Sequence, residues 1–404
     1  MIAFFLAPVY LLFNFYILRW LLRWMSACSH HFKKRWTRVV VVTLYILLST
    51  SILTAFLLPP SRFEKWLQKI SNYWLGTFLY ILLIVFIVDV GRMILKHMKT
   101  VNQERLASRA VFVLTGTICI SCIAGLSAHG IINAHHIRTT RYEVAVPKSC
   151  EGTDSLNVVL LADFHLGYSI GTWHMKQMVK KVNQLHPDIV CIAGDIFDND
   201  YDSLDNPKAI TQALQQIQSK YGVYACYGNH DIQEKILAGF TFRHKGKKVS
   251  DQRMDQLLEN ANITLLQDET KFIANKFYLA GRPDYERPGR GITTRKTPTE
   301  ITAPLDLQKP VLVMDHEPRE LQELSDAGVD LDLCGHTHDG QMFPGNLTIK
   351  LLWENAYGHL KKGSMHNIVT SGVGVFGPYM RVGTKSEIVQ IKVTFNPAQE
   401  EKKK

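Results

Sequence analysis

Five short segments of the 404-residue chain carry side chains that could do chemistry: Asp163-Phe164-His165, Gly194-Asp195, Gly228-Asn229-His230-Asp231, His316, and Gly335-His336-Thr337-His338. Each follows a short apolar run. In Asp-x-His and His-x-His, residues two apart in an extended segment point the same way. Carboxylate, amide and imidazole donors suit Mn²⁺, Fe or Zn²⁺ better than a soft thiolate-seeking metal. Seven ligand candidates result: Asp163, His165, Asp195, Asn229, His316, His336 and His338. They exceed the needs of one ion, whereas two ions about 3.5–4 Å apart that share a carboxylate use them all and suit phosphoester hydrolysis. A single histidine at a strand end is ordinarily a hydrogen-bonded structural residue. Five such endings together would be costly to bury without a cation. Glycines 194, 228 and 335 allow tight turns, so that backbone and ligands can approach the ions closely.

These segments need a frame that brings them to one edge. The apolar runs 158–161, 189–192, 223–226, 311–313 and 329–333 predict strands, and further strands are expected at 367–371 and 388–393. Apolar residues at helical spacing predict helices over 173–185 and around 210–217. Strands alternating with helices describe an α/β or mixed-sheet domain. In open sheets of this class, ligands bind beyond the carboxyl ends of the strands, where all five segments fall.

The ordered set D-x-H, G-D, G-N-H-D, H and G-H-x-H resembles the calcineurin-like metallophosphoesterase superfamily, over roughly residues 157–393. The stretch from Gly335 to Pro344 is similar to its membrane-anchored branch of YaeI/YkuE-type phosphodiesterases, with Asp339 where many of those have glycine. The resemblance implies a four-layer α/β/β/α fold with two mixed sheets. It implies one ion on Asp163, His165, Asp195 and His338, and a second on Asp195, Asn229, His316 and His336, with Asp195 bridging. A metal-bridging hydroxide would attack phosphorus. His230 is then expected to protonate the leaving group or touch the phosphoryl group, with Asp231 orienting its ring. Arg282 and Arg381, together with Arg287 and Arg290, are expected substrate contacts. His174, His186, His359 and His366 are expected at the surface.

The first third of the chain is a different material. Residues 2–18, 39–58, 73–94 and 110–134 are apolar runs of bilayer-spanning length. No basic region precedes the first, so a retained anchor is expected rather than a cleaved signal. Asp89 is expected to pair with Arg92. The expected organisation is a four-helix transmembrane region (1–135), a linker with the first strand (136–155), the phosphoesterase domain (156–396) and a charged tail (397–404). Short loops after the first and third runs carry more Lys/Arg than the second loop, which places them in the cytoplasm and the catalytic domain on the periplasmic or outer face of a cell (inner) membrane.

This division explains the net charge of +10. Residues 1–135 hold 14 Lys/Arg and three acids, and the remainder holds 32 Lys/Arg and 33 acids. A nearly neutral catalytic part argues against a nucleic-acid partner, which would need basic residues there. The seven cysteines show no paired spacing and read as thiols. The basic run 243–248 reads as a solvated loop. The sequence thus describes a membrane-anchored binuclear-metal phosphoesterase, more a phosphodiesterase than a phosphatase, with the bilayer and a lipid or envelope phosphoester as partners. Two alternatives are a cytoplasmic-face pyrophosphate hydrolase acting on a nucleotide-diphospho lipid of the lipid A pathway, and a non-catalytic scaffold with a vestigial domain. The intact ligand set counts against the scaffold.

Overall fold

The computed structural model describes residues 2–59, 61–237, 240–242 and 250–395, and side chains from residue 7 onward outside 235–242. The basic run 243–248 and the tail 397–404 lie outside the described residues. The chain divides into two compact units. Unit 1 comprises residues 1–132, 236–241 and 377–380, and unit 2 comprises 133–235, 242–376 and 381–404.

Unit 1 is built on long helices: α1 (Ile2–Cys28), α2 (Arg35–Leu57), α3 (Arg62–His97), the short α4 (Gln103–Ala107) and α5 (Arg109–His135). Among the described residues, α2, α3 and α5 are long and apolar enough to cross a membrane. The first expected span, residues 2–18, falls within α1, whose side chains are described from Ala7 onward. Ile17, Tyr45, Trp74 and Phe78 make a small core. A polar thread runs through it: Trp74 Nε1 donates to Tyr10 Oη (2.8 Å), which donates to the Ser49 carbonyl (2.7 Å). Large apolar residues such as Leu44, Leu57, Phe86 and Leu114 point outward, as residues facing hydrocarbon do. Asp89 accepts a hydrogen bond from Tyr16. The expected Asp89–Arg92 pair is therefore replaced by a contact between helices, which spacing along one helix does not reveal.

Unit 2 contains two mixed six-stranded sheets. The first has the order β1-β14-β2-β3-β4-β7, from β1 (Ile137–Val146), β2 (Ser155–Leu161), β3 (Ile189–Ala193), β4 (Val223–Cys226), β7 (Ile263–Leu265) and β14 (Ser386–Phe395). Strands β2, β3, β4 and β7 are parallel, β14 runs antiparallel to β2, and β1 lies parallel to β14. The second sheet has the order β12-β13-β11-β10-β9-β8, from β8 (Glu269–Ile273), β9 (Phe277–Gly281), β10 (Val311–Met314), β11 (Leu331–Cys334), β12 (Gly358–Lys362) and β13 (Met365–Val369). A short ribbon pairs β5 (Lys235–Leu237) with β6 (Phe240–Phe242).

One apolar core joins the two sheets. Leu156, Val158, Leu160, Cys191 and Ile391 from the first meet Leu279, Leu312, Met314, Leu331 and Ile368 from the second. Period-2 alternation sends Val311 and Val313 to the other side of β10, where they pack with Leu321, Leu324 and Ile301. These come from α9 (Pro298–Thr302) and α10 (Leu321–Asp326). Helices α6 (Thr172–Asn183), α7 (Pro207–Leu214) and α8 (Gln252–Asn260) connect the parallel strands of the first sheet. The short α11 (Gly345–Thr348) follows β11. The strands and helices expected around the site are present, with ends shifted by a few residues. His174 and His366 correct the expectation of surface histidines, because both are buried. His174 Nε2 lies 3.0 Å from the Val373 carbonyl, and His366 Nε2 3.1 Å from that of Ala145. Five of the seven cysteines are buried and all are free.

Candidate metal centre

Each candidate ligand stands on a loop just past a strand. Asp163 and His165 follow β2, Asp195 follows β3, Asn229 follows β4, His316 follows β10, and His336 and His338 follow β11. The loops are tied to one another through the backbone. Asp163 N–H donates to Gly194 O (3.0 Å), His165 N–H to Asp195 O (3.0 Å), and Gly335 N–H to His316 O (3.0 Å). At Gly228 a Cβ would lie 2.2 Å from Asp195 Oδ1, and at Gly335 it would lie 2.6 Å from Asp163 Oδ2. A side chain at either position would displace a carboxylate.

The seven side chains form two groups that meet at Asp195. In the first, His165 Nε2 and His338 Nε2 are 3.0 Å apart, and His338 Nε2 is 3.7 Å from Asp163 Oδ1. In the second, Asn229 Oδ1 lies 3.1 Å from both His316 Nε2 and His336 Nδ1, which are 3.2 Å from each other. Asp195 Oδ2 is 3.1 Å from His316 Nε2 and 3.6 Å from His165 Nε2. Asp163-His165-His338 and Asp195-His316-His336 each offer three ligand atoms within 4.8 Å of one another. His316 Nδ1 faces the Ala193 carbonyl at 2.9 Å. Donation to that carbonyl keeps the proton on Nδ1 and leaves the Nε2 lone pair for the site, the usual way a neighbouring acceptor fixes a ligating tautomer.

The electrostatics are those of a site built for a cation. Burial pushes Asp163 up to about 6. Burial acts the same way on Asp195, but His316, His230 and His165 hold it well below the usual carboxylate range. Burial, with His316 next in weight, drives His336 down to about 3. Burial together with His165 and Arg381 holds His338 well below the ordinary imidazole value. His165 and His316 go the other way against burial, His165 raised by Asp198 and His316 well above the ordinary imidazole value through Asp195; these are protons that a divalent ion would displace on binding. The donor set therefore fits metal.

The remaining expected residues divide. His230 is buried, with its ring 4.6 Å from Phe376 and 5.0 Å from His165. Its Nδ1 contacts Asn199 Oδ1 rather than Asp231. The Asp231 carboxylate instead accepts from Phe197 N–H (2.8 Å) and Gly228 N–H (2.7 Å), so it fastens the β3 and β4 loops together. The orienting role expected of Asp231 falls to Asn199. The expected substrate contacts Arg282 and Arg381 are completely buried. Arg282 is paired with Asp315 and Glu320 at 2.8 Å each. Arg381 donates to Gly374 O (2.7 Å) and His338 O (3.2 Å), which makes it a support for the His338 loop. Arg287 pairs with Glu234, and Arg290 with Asp255.

Several neighbours were not singled out from sequence. Asp198 Oδ1 lies 3.5 Å from His165 Nδ1 and 3.8 Å from His230 Nδ1; its place three residues after Asp195 was the available signal. Glu317 Oε1 lies 3.5 Å from His336 Nε2, and Trp353 sets its ring 5.2 Å from that of His336. Gln341 holds Phe376 through both halves of its amide: Nε2 donates to Phe376 O (2.9 Å) and Oε1 accepts from Phe376 N–H (2.8 Å).

Residues 156–340 match the family model described as calcineurin-like phosphoesterase. The chain is 28% identical over 376 residues to the "transmembrane protein with metallophosphoesterase domain" of Danio rerio, covering 89% of this chain and 80% of that one. It is 26% identical over 331 residues to an uncharacterized metallophosphoesterase of Campylobacter jejuni, covering 81% of each. To the uncharacterized metallophosphoesterase YkuE of Bacillus subtilis it is 26% identical over 273 residues, covering 64% of this chain and 85% of that one.

Proposed function

The chain carries a calcineurin-like metallophosphoesterase domain and is a metal-dependent phosphoester hydrolase; from that premise we propose a membrane-anchored, two-metal phosphodiesterase. The observation that carries this reading is the position of Asp195 Oδ2 between two converging donor groups, 3.1 Å from His316 Nε2 and 3.6 Å from His165 Nε2. One ion would be held by Asp163, His165, Asp195 and His338, and the other by Asp195, Asn229, His316 and His336. Ions held there lower the pKa of water and neutralise charge that develops on the phosphoryl oxygens.

The chain's own residues supply the rest. Asn199 Oδ1 accepts a hydrogen bond from His230 Nδ1–H and leaves Nε2 to exchange a proton with the substrate. Burial pulls His230 down to about 4, so its neutral ring would take a proton at Nε2 from the attacking water and pass it to the departing oxygen as the ester P–O bond breaks. Phe376 lies against His230 and His165 and keeps water from that side. Glu317, contacting both Arg319 and His336, fixes the His336 ring.

The proposal includes the wider organisation: four spanning helices in residues 1–135, a linker and first strand in 136–155, a four-layer domain over 156–396 and a charged tail. The domain faces outward from a cell membrane, and its substrate is a lipid or envelope phosphoester. The test is hydrolysis by the purified full-length chain. After chelation, the protein should cleave neither bis(p-nitrophenyl) phosphate nor p-nitrophenyl phosphate. Added Mn²⁺ should restore activity, with the diester preferred. Absence of both metal uptake and Mn²⁺-dependent cleavage overturns the reading.

A further inference from the structure

Four of the eight large exposed apolar side chains described in unit 2 lie in one short stretch. Phe343, Leu347, Leu351 and Leu352 are all exposed, the last two at 84% and 75%. A leucine left that far in water forgoes the stabilisation of burial, and clustered cases mark a surface that something apolar covers. The stretch begins five residues after His338, passes through α11 and the 3₁₀ turn Ile349–Leu351, and ends beside Trp353. Leu347 and Leu351, four residues apart, fall on one side of these turns.

The stretch is continuous with the metal centre. Trp353 packs edge-on against His336 at 5.2 Å. Leu352 and Trp353 wall a cavity of about 550 Å³ with Tyr285, Pro318 and Arg319, and the carboxylates of Glu320, Glu323 and Glu354 line its remaining side. The Arg319 guanidinium stands 4.9 Å from the Trp353 ring and 5.4 Å from the Tyr285 ring. Moving away from His336, the surface is aromatic with charges of both signs at first, and three exposed leucines follow farther out. A molecule with its phosphate at the centre and a hydrocarbon chain trailing from it matches that order.

We propose that Leu347, Leu351 and Leu352 form the subsite for the hydrocarbon chain of an amphiphilic phosphodiester whose phosphorus reacts at the seven-residue centre, which rests on the phosphodiesterase reading above. The occupant is the substrate's own chain, because Leu352 lines the cavity beside Trp353, the ring packed on His336, and Leu351 and Leu347 continue the stretch from it.

The test uses ethyl and octyl p-nitrophenyl phosphate with the full-length, metal-loaded chain in amphipol. Both esters release p-nitrophenolate by the same P–O cleavage, so the ratio of their kcat/KM values isolates chain recognition. The octyl ester should be favoured by about tenfold or more, as burial of several methylenes predicts. Leu351→Ser/Leu352→Ser should bring the ratio close to one, while Leu351→Ile/Leu352→Ile should preserve it. Equal ratios in the parent and the serine variant overturn the subsite, whatever the absolute rates. If the serine variant then also loses activity toward both esters only in lipid nanodiscs, the leucines touch the bilayer and not the substrate. Cleavage of neither ester overturns the diesterase reading itself and the subsite with it.

Discussion

Five of the seven candidate ligands hold the backbone in the left-handed region: Asp163, His165, Asp195, His336 and His338 have φ between 48° and 72°. Asp, Asn and His tolerate this region better than most residues, yet a cluster of such conformations persists only where the surroundings impose it. Here cross-loop backbone hydrogen bonds do so. The strain was invisible in the sequence, which nonetheless displayed the ligand types and their spacing. Asp231 shows where sequence reasoning ran out. Adjacency to His230 suggested partnership, but backbone N–H groups of its own loop and of the loop after β3 use its oxygens, and Asn199 reaches the imidazole from 31 positions away. His230→Ala should therefore lower kcat by about 100-fold, and Asn199→Ala by about tenfold, with metal content unchanged by elemental analysis in both. Asp195→Asn should lose metal and activity together. Metal loss on substituting His230 would make it a ligand and refute the assignment.

Strands buried on both sides were legible because their runs are continuously apolar, as in β3 and β10. Edge strands were not. In β8 (Glu269–Ile273) and β12 (Gly358–Lys362) charged residues face water, and their pairing rather than their composition makes them strands. Buried charge was also illegible, since Arg282 and Arg381 read as exposed cations until their distant partners are known. Strand β11 contains such a charge. Asp332 is completely buried, accepts from Asn367 Nδ2 (2.8 Å), and is pushed up to about 7 by burial and then by Asp315. Its folded value lies above its unfolded value, so the stability it contributes is complete below about pH 4 and is lost as pH rises through about 7. The parent should lose at most about 1.4 kcal/mol per pH unit from this group between about pH 5 and 7. Asp332→Asn should flatten that slope in denaturant titrations; an unchanged slope would show that the carboxylate is ionised throughout.

At the scale of the molecule, the sequence separated cleanly into an apolar third and a catalytic remainder. The reason is physical: long uncharged helices and short alternating strands have different periods and lengths. The charge asymmetry of the loops carries the orientation proposal. A reporter active only outside the cytoplasm, fused after Lys404, should be active, and one active only in the cytoplasm should be silent. The reverse pattern would place the domain inside and favour a nucleotide-diphospho lipid as substrate.

The pairing of β14 with both β1 and β2 has a consequence for how the protein is made. Ser386–Phe395 is inserted between Ile137–Val146 and Ser155–Leu161, so the first sheet joins residues about 250 positions apart. While the ribosome still holds the C-terminal segment, β1 has no partner and β2 presents an open edge. Contacts of such sequence separation form late and slowly. The loops after β2 and β3 are therefore expected to reach their final geometry late, after Ser386–Phe395 has paired, and metal loading should follow that pairing. A chain ending before Ser386 should accumulate as an aggregation-prone, metal-free species even though every candidate ligand is present in it.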